Sequence, residues 1–226
     1  MRSRLLGAGL VSAALLVPTA AYTYNLLNPP RHWPSIPVSV CVSTTGHKSI
    51  DNGDGGVSST IDALNNAHPL LSGTGWNVGR AVGVAGAIPC TTPWVLGDAN
   101  PTIAFDEKIP GTCGGSCLAA TFVGYYDCDP TLSDGHCVIV DADVETRRNK
   151  SDRAGGPYYS LYEPCTNGKE WNIEAIMVHE VGHVLGLGHS NVSGATMYPS
   201  VPSCNANPAT IETDDATGLG RLYPPS

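Results

Sequence analysis

Apolar and polar positions alternate most cleanly over residues 138–146, where Val140, Ala142 and Val144 interleave with Asp141, Asp143 and Glu145. A two-residue period is that of a strand with one buried face. Residues 36–42, 102–106 and 118–126 carry the β-branched and aromatic content of further strands, and the small apolar run 81–88 reads as a strand or a buried connection. From residue 172 the spacing changes. Ile176, Met177, Val184 and Leu185 form the buried side of a helix that starts on Asn172 as N-cap. Earlier, Ser59-Thr60-Ile61-Asp62 has the look of a capping box, with Ile61 and Leu64 on one face. It predicts a helix to about His68, stopped by Pro69. A last short helix is expected from about Thr213 to Leu222, with Ala216, Leu219 and Tyr223 as its apolar stripe. Asp214 and Asp215 fall in its first turn, where negative charge suits the helix dipole. The polar, Gly- and Pro-punctuated stretch 147–169 reads as one long loop. Strands, an early helix and late helices together predict an α+β domain with a twisted mixed sheet.

The predicted helix beyond Asn172 also carries the chemistry. It reads His179-Glu180-Val181-Gly182-His183-Val184-Leu185-Gly186-Leu187-Gly188-His189, with Met197 eight residues further on. His179 and His183, four apart, lie one turn apart on a single helical face and can share one Zn²⁺. Glu180 stands beside the first of them, where a carboxylate reaches a water at the metal without binding the metal itself. Gly186 can adopt a positive φ, end the helix and bend the chain back, so that His189 becomes the third ligand. Three protein ligands leave the fourth position open, as a catalytic zinc requires.

Composition narrows the setting. In 226 residues there is room for one domain with a sizeable core. Arg2 and Arg4 precede an apolar run, residues 5–17, and Thr19-Ala20-Ala21 supplies small residues for cleavage. Residues 1–21 are therefore expected to be a signal peptide, 22–33 an extended lead-in, and 34–226 the domain proper. The run is shorter than the ~18–20 apolar residues of a membrane span, and Pro18 interrupts it. A secreted, monomeric protein without stable membrane association after cleavage is expected. Loss of Arg2 and Arg4 with the leader would take the net charge from −8 to −10. That balance argues against nucleic acid as a partner. Eight cysteines behind an export leader imply four disulfides. Joining sequential neighbours gives Cys41–Cys90, Cys113–Cys117, Cys128–Cys137 and Cys165–Cys204. His32, His47, His68 and His136 are assigned no metal.

The pattern H-E-x-x-H-x-x-G-x-x-H with a following Met resembles the metzincin zinc endopeptidases. Ser190 after the third His, and Met197-Tyr198-Pro199, are most similar to the matrixin branch. So are Leu118-Ala119-Ala120-Thr121-Phe122 and the pair Asp214-Asp215. The resemblance implies an N-terminal subdomain, residues 34–186, and a small C-terminal one, residues 187–226, holding a Met turn and the final helix. It implies peptide-bond hydrolysis of a protein or peptide substrate by metal-activated water, with Glu180 as general base. Backbone N–H groups near Leu118 and Ala119 would stabilise the oxyanion, and the edge strand would pair with extended substrate. Met197 would form the turn beneath the metal, and Tyr198 and Pro199 would wall the pocket. The acidic pair would tie the C-terminal part to the rest.

Two departures from the family matter. Matrixins commonly bind a second, structural zinc through a His in the middle of this strand, where Ala120 stands here, so one catalytic zinc alone is expected. No cysteine precedes Cys41 to cap the metal from a propeptide. Asp141, Asp143 and the acidic loops keep calcium open. The rival readings are a catalytically silent zinc-binding module on the same fold, and a zinc hydrolase using Glu212 in place of His189.

Overall fold

A computed structural model describes residues 24–28, 30–50, 53–65, 67, 76, 84–91, 95, 97–107, 117–126, 137–147, 158–162, 164–166, 168–206 and 209–224. In chain order the elements are β1 (Arg31–His32), β2 (Val38–Ser43), α1 (Val57–Leu64), β3 (Val84–Cys90), β4 (Thr102–Glu107) and β5 (Ala119–Tyr126). They continue with β6 (Cys137–Arg147), β7 (Tyr158–Tyr159), β8 (Trp171–Asn172), α2 (Ile173–Val184) and α3 (Thr213–Leu222). The fold is α+β.

The long strand β6 organises the sheet. On one side it pairs parallel with β4, and at its start with β1; β4 continues to β2 and then β3, also parallel. On its other side β5 runs antiparallel, making the sheet mixed and leaving β5 as its edge. The alternation over residues 138–146 was expected to bury one face. Instead both faces are covered: Ile139, Ala142 and Val144 lie in the core, and Asp141 and Asp143 are fully buried opposite them. Segment 97–102 covers the acidic face. Gly97 N–H donates to the Asp141 Oδ2 and Thr102 N–H to the Asp143 Oδ1 at 3.0 Å.

Helix α2 buries ten of its twelve residues, because β5, α1 and the Met197 turn surround it. Asn172 caps it as expected, accepting the Ala175 N–H at 2.8 Å. Two tryptophans brace its carbonyls: Trp76 Nε1 donates to Val178 and Trp33 Nε1 to Val184.

The expected box at Ser59 does not form. Helix α1 starts after Gly56, and the Asp54 carboxylate takes the Gly56 and Ser58 amides at 3.0 and 2.9 Å. It ends at Leu64, short of His68, because the Asn65 side chain turns to bridge the Ala87 N–H and C=O on β3. His68 and His136 lie outside the described residues. Within the lead-in, Arg31 and His32 form β1. Within 147–169, Tyr158 and Tyr159 pair in parallel with Trp171 and Asn172, so this stretch is not loop throughout.

Cys41–Cys90 joins β2 to β3, and Cys165–Cys204 ties the segment before α2 to the one after Met197. Cys117 and Cys137 are disulfide-bonded too; their expected partners, Cys113 and Cys128, lie outside the described residues. Among the described residues no helix is long and apolar enough to cross a membrane.

Candidate metal centre and cleft

The reversal after α2 decides whether three imidazoles meet. Gly186 has φ 98°, its N–H reaches the His183 carbonyl at 2.9 Å, and the Leu187 N–H reaches the Gly182 carbonyl at 2.9 Å. This paired closure of the last helical turn favours glycine at the left-handed position. A Cβ on Gly186 would also collide with the Arg31 carbonyl oxygen. The lead-in holds the reversed chain: Leu27 N–H donates to Gly186, Gly188 N–H to Asn25, and Asn25 Nδ2 to the His189 carbonyl at 2.6 Å.

His179, His183 and His189 therefore converge, with candidate ligand atoms all within 4.8 Å of one another. The Nδ1 atoms of His179 and His183 lie 2.7 Å from the Thr196 and Leu187 carbonyls. A carbonyl only accepts, so each Nδ1 carries the proton and each Nε2 keeps a lone pair for a metal. Burial, and then the neighbouring His179, push the His183 pKa down to about 3. His189 is lowered by the same two causes. Three converging imidazole nitrogens suit a borderline-soft divalent ion, and Zn²⁺ fits this donor set.

Glu180 is 7% exposed and lines the same cleft. Burial raises its pKa, while His179 and a hydrogen bond from Thr121 Oγ1 to Oε2, at 2.6 Å, oppose that rise. Its other carboxylate oxygen, Oε1, has no hydrogen-bond partner among the described residues, so it is the one available to a water in the cleft.

Met197 is buried beneath α2. A Cβ on Gly182 would strike its sulfur and come within 2.8 Å of the Trp76 ring. The turn is fixed by Asp215, whose carboxylate accepts the Thr196, Met197 and Glu212 N–H groups at 2.8, 3.0 and 3.1 Å. Asp214 accepts the Ser190 hydroxyl at 2.6 Å. The acidic pair thus does more than complement the helix dipole. Glu212 is not among the converging ligands; it forms the reciprocal cap of α3 with Asp215.

A cleft of about 940 Å³ runs between β5 and α2, with Leu118, Ala119, Tyr198 and Pro199 on its walls together with the three imidazoles and Glu180. Leu118 accepts the Arg147 N–H at 2.9 Å, so its peptide faces β6. By the alternation of an antiparallel pair, the Ala119 peptide groups turn away from β6, and the Ala119 carbonyl lies 2.7 Å from the Cys117 Sγ. Ala120 and Thr121 also line the cleft. Thr121 and Asn25 were not singled out from sequence. Nothing in their local spacing points to the site, for Thr121 meets Glu180 across 59 residues and Asn25 meets His189 across 164.

Among known proteins, residues 93–224, more than half of the chain, match the family described as Matrixin. Metalloendoproteinase 1 of Glycine max is 43% identical over 53 residues, covering 24% of this chain and 17% of that protein. Matrilysin of Rattus norvegicus is 34% identical over 71 residues, covering 30% and 27%. Interstitial collagenase B of Mus musculus is 37% identical over 73 residues, covering 32% and 16%. The matched stretches thus span at most 27% of these relatives' own length.

Proposed function

The chain belongs to the matrixin family, and on that footing we propose that it is a secreted zinc-dependent endopeptidase acting on proteins or peptides. One observation carries the reading: three imidazoles converge beside a buried carboxylate in an open cleft. His179 and His183 would hold the ion through Nε2, with His189 completing the set. Bound there, zinc would supply Lewis-acid polarisation of a water and of the scissile carbonyl. Glu180, anchored at Oε2 by Thr121, takes the water's proton on its free oxygen and passes it to the leaving amine. An extended substrate adds to the edge of β5, and backbone N–H groups near Leu118 and Ala119 would donate to the developing oxyanion. Met197 supports α2 from below, and Tyr198 and Pro199 wall the pocket.

The proposal includes a leader over residues 1–21, a lead-in over 22–33, a domain over 34–226 divided after residue 186, and a monomer. It includes one zinc per chain, since Ala120 replaces the family's additional ligand, and it keeps calcium open at Asp141 and Asp143. Metal analysis that finds two zinc ions per folded chain would contradict the stoichiometry.

The deciding experiment is cleavage of a peptide library by purified protein, with and without a chelator, alongside Glu180→Ala. The endopeptidase keeps its zinc in Glu180→Ala and loses turnover. A zinc-binding module would cleave nothing and keep its binding in that variant.

A further inference from the structure

Arg31 is the only Lys or Arg among the described residues that line the cleft. Its guanidinium lies over the Tyr125 ring, with Cζ 3.6 Å from the centroid. Among the described residues its buried Nε has no hydrogen-bond partner and no carboxylate pairs with it. The backbone beneath is fixed on two sides. Arg31 pairs with Cys137 on β6, and its carbonyl abuts Gly186, three residues before His189.

An arginine fork stacked on an aromatic face, with no carboxylate among the described residues beside it, is pre-organised to take a carboxylate in a two-pronged hydrogen bond. Its position indicates whose carboxylate. Thr121 marks the level of Glu180 on β5, and Tyr125 lies four residues further along the same strand. A peptide paired with the open edge therefore passes Glu180 and reaches Arg31 within about four residues of the scissile bond. The net charge of −8 disfavours acidic peptides overall, and within the cleft Arg31 is the one Lys or Arg among the described residues that opposes it.

We propose that Arg31, seated on Tyr125, forms a subsite for an Asp or Glu side chain of the peptide substrate, a specificity that rests on the endopeptidase reading. The test is a position-scanned peptide set cleaved by wild type, Arg31→Gln and Arg31→Lys. The ratio of kcat/KM for a Glu peptide over its Gln counterpart should be about tenfold at one position in wild type, near unity in Arg31→Gln and partly kept in Arg31→Lys. Should Arg31→Gln fail to fold, the wild-type ratio must itself shrink as salt rises from about 0.05 to 0.5 M. Absence of an acidic preference, or one that survives Arg31→Gln or high salt, overturns the subsite. Binding of the same peptides to Glu180→Ala separates recognition from turnover. Cleavage without acidic preference refutes the subsite and leaves the endopeptidase. Selective binding without any cleavage by wild type refutes the endopeptidase and keeps the subsite.

Discussion

Thr121 on β5 donates to the Glu180 carboxylate at 2.6 Å, and the same hydroxyl lies 3.1 Å from the Glu180 carbonyl oxygen. The edge strand that would receive the substrate thereby also sets the orientation of the Glu180 carboxylate. Replacing the hydroxyl with a methyl of similar volume isolates that bond. Thr121→Val should lower kcat about tenfold with KM and zinc content little changed, and Thr121→Ser should restore it. In metal-free crystals the Glu180 carboxylate should occupy one rotamer in wild type and several in Thr121→Val. An unchanged kcat with a single rotamer would remove Thr121 from the mechanism.

At Gly182, α2 packs directly against Met197. A Cβ there meets the Met197 sulfur and the Trp76 ring, both buried and unable to move aside freely. Gly182→Ala should therefore cost about 2–3 kcal/mol of stability despite the better helix propensity of alanine. Thermal unfolding and zinc titration check this; a raised Tm would show that the turn yields.

Asp215 orients His179 through one intermediary. Its carboxylate holds the Thr196 and Met197 amides, and the Thr196 carbonyl accepts the His179 Nδ1–H. Asp215→Asn retains shape but removes part of the acceptor set. It should weaken zinc binding by about tenfold, as loss of an outer-shell partner does. Competition with a chromogenic chelator reads the change, and undiminished affinity would make Asp215 a cap of α3 alone.

The acidic face of β6 gives a pH dependence with a definite sign. Burial, and then the charge of Asp141, raise the Asp143 pKa to about 7, against the pull of the Thr102 N–H. The unfolded value is about 3.9. Between the two the folded chain keeps a proton that the unfolded chain has released, so this contribution is full below the lower value and is lost as pH rises through about 7. In chelator, Tm should fall between pH 5 and pH 8, and Asp143→Asn should flatten that fall and raise Tm at pH 8. If calcium occupies this face, adding it at pH 8 should restore Tm in wild type and not in Asp143→Asn.

Cys165–Cys204 closes 39 residues of chain around α2 and the Met197 turn, with Cα atoms 5.5 Å apart. Removing a loop closure of this size should cost about 4 kcal/mol in the chain-entropy account. Cys165→Ala/Cys204→Ala should show a lower Tm and weaker zinc retention. Full activity after complete reduction would place the cleft outside its influence.

The features readable from sequence are those whose physics is local. One helical turn places His179 and His183 on one face, Gly186 alone tolerates the reversal that returns His189, and Asn172 caps α2 by a contact three residues long. The helix Thr213–Leu222 and the main strands follow from spacing in the same way. Tertiary structure decided the rest, because sheet order and chain reversal are not encoded in any short window. The parallel run of β2, β4 and β6 with β5 on the edge brings Thr121 to Glu180 and Arg31 to Tyr125. The covering segment 97–102 turns the polar face of β6 inward, which a two-residue period reads as solvent-facing. The imidazoles follow from the chain's own periodicity; what orients the Glu180 carboxylate beside them was set by residues that meet only once the sheet has formed.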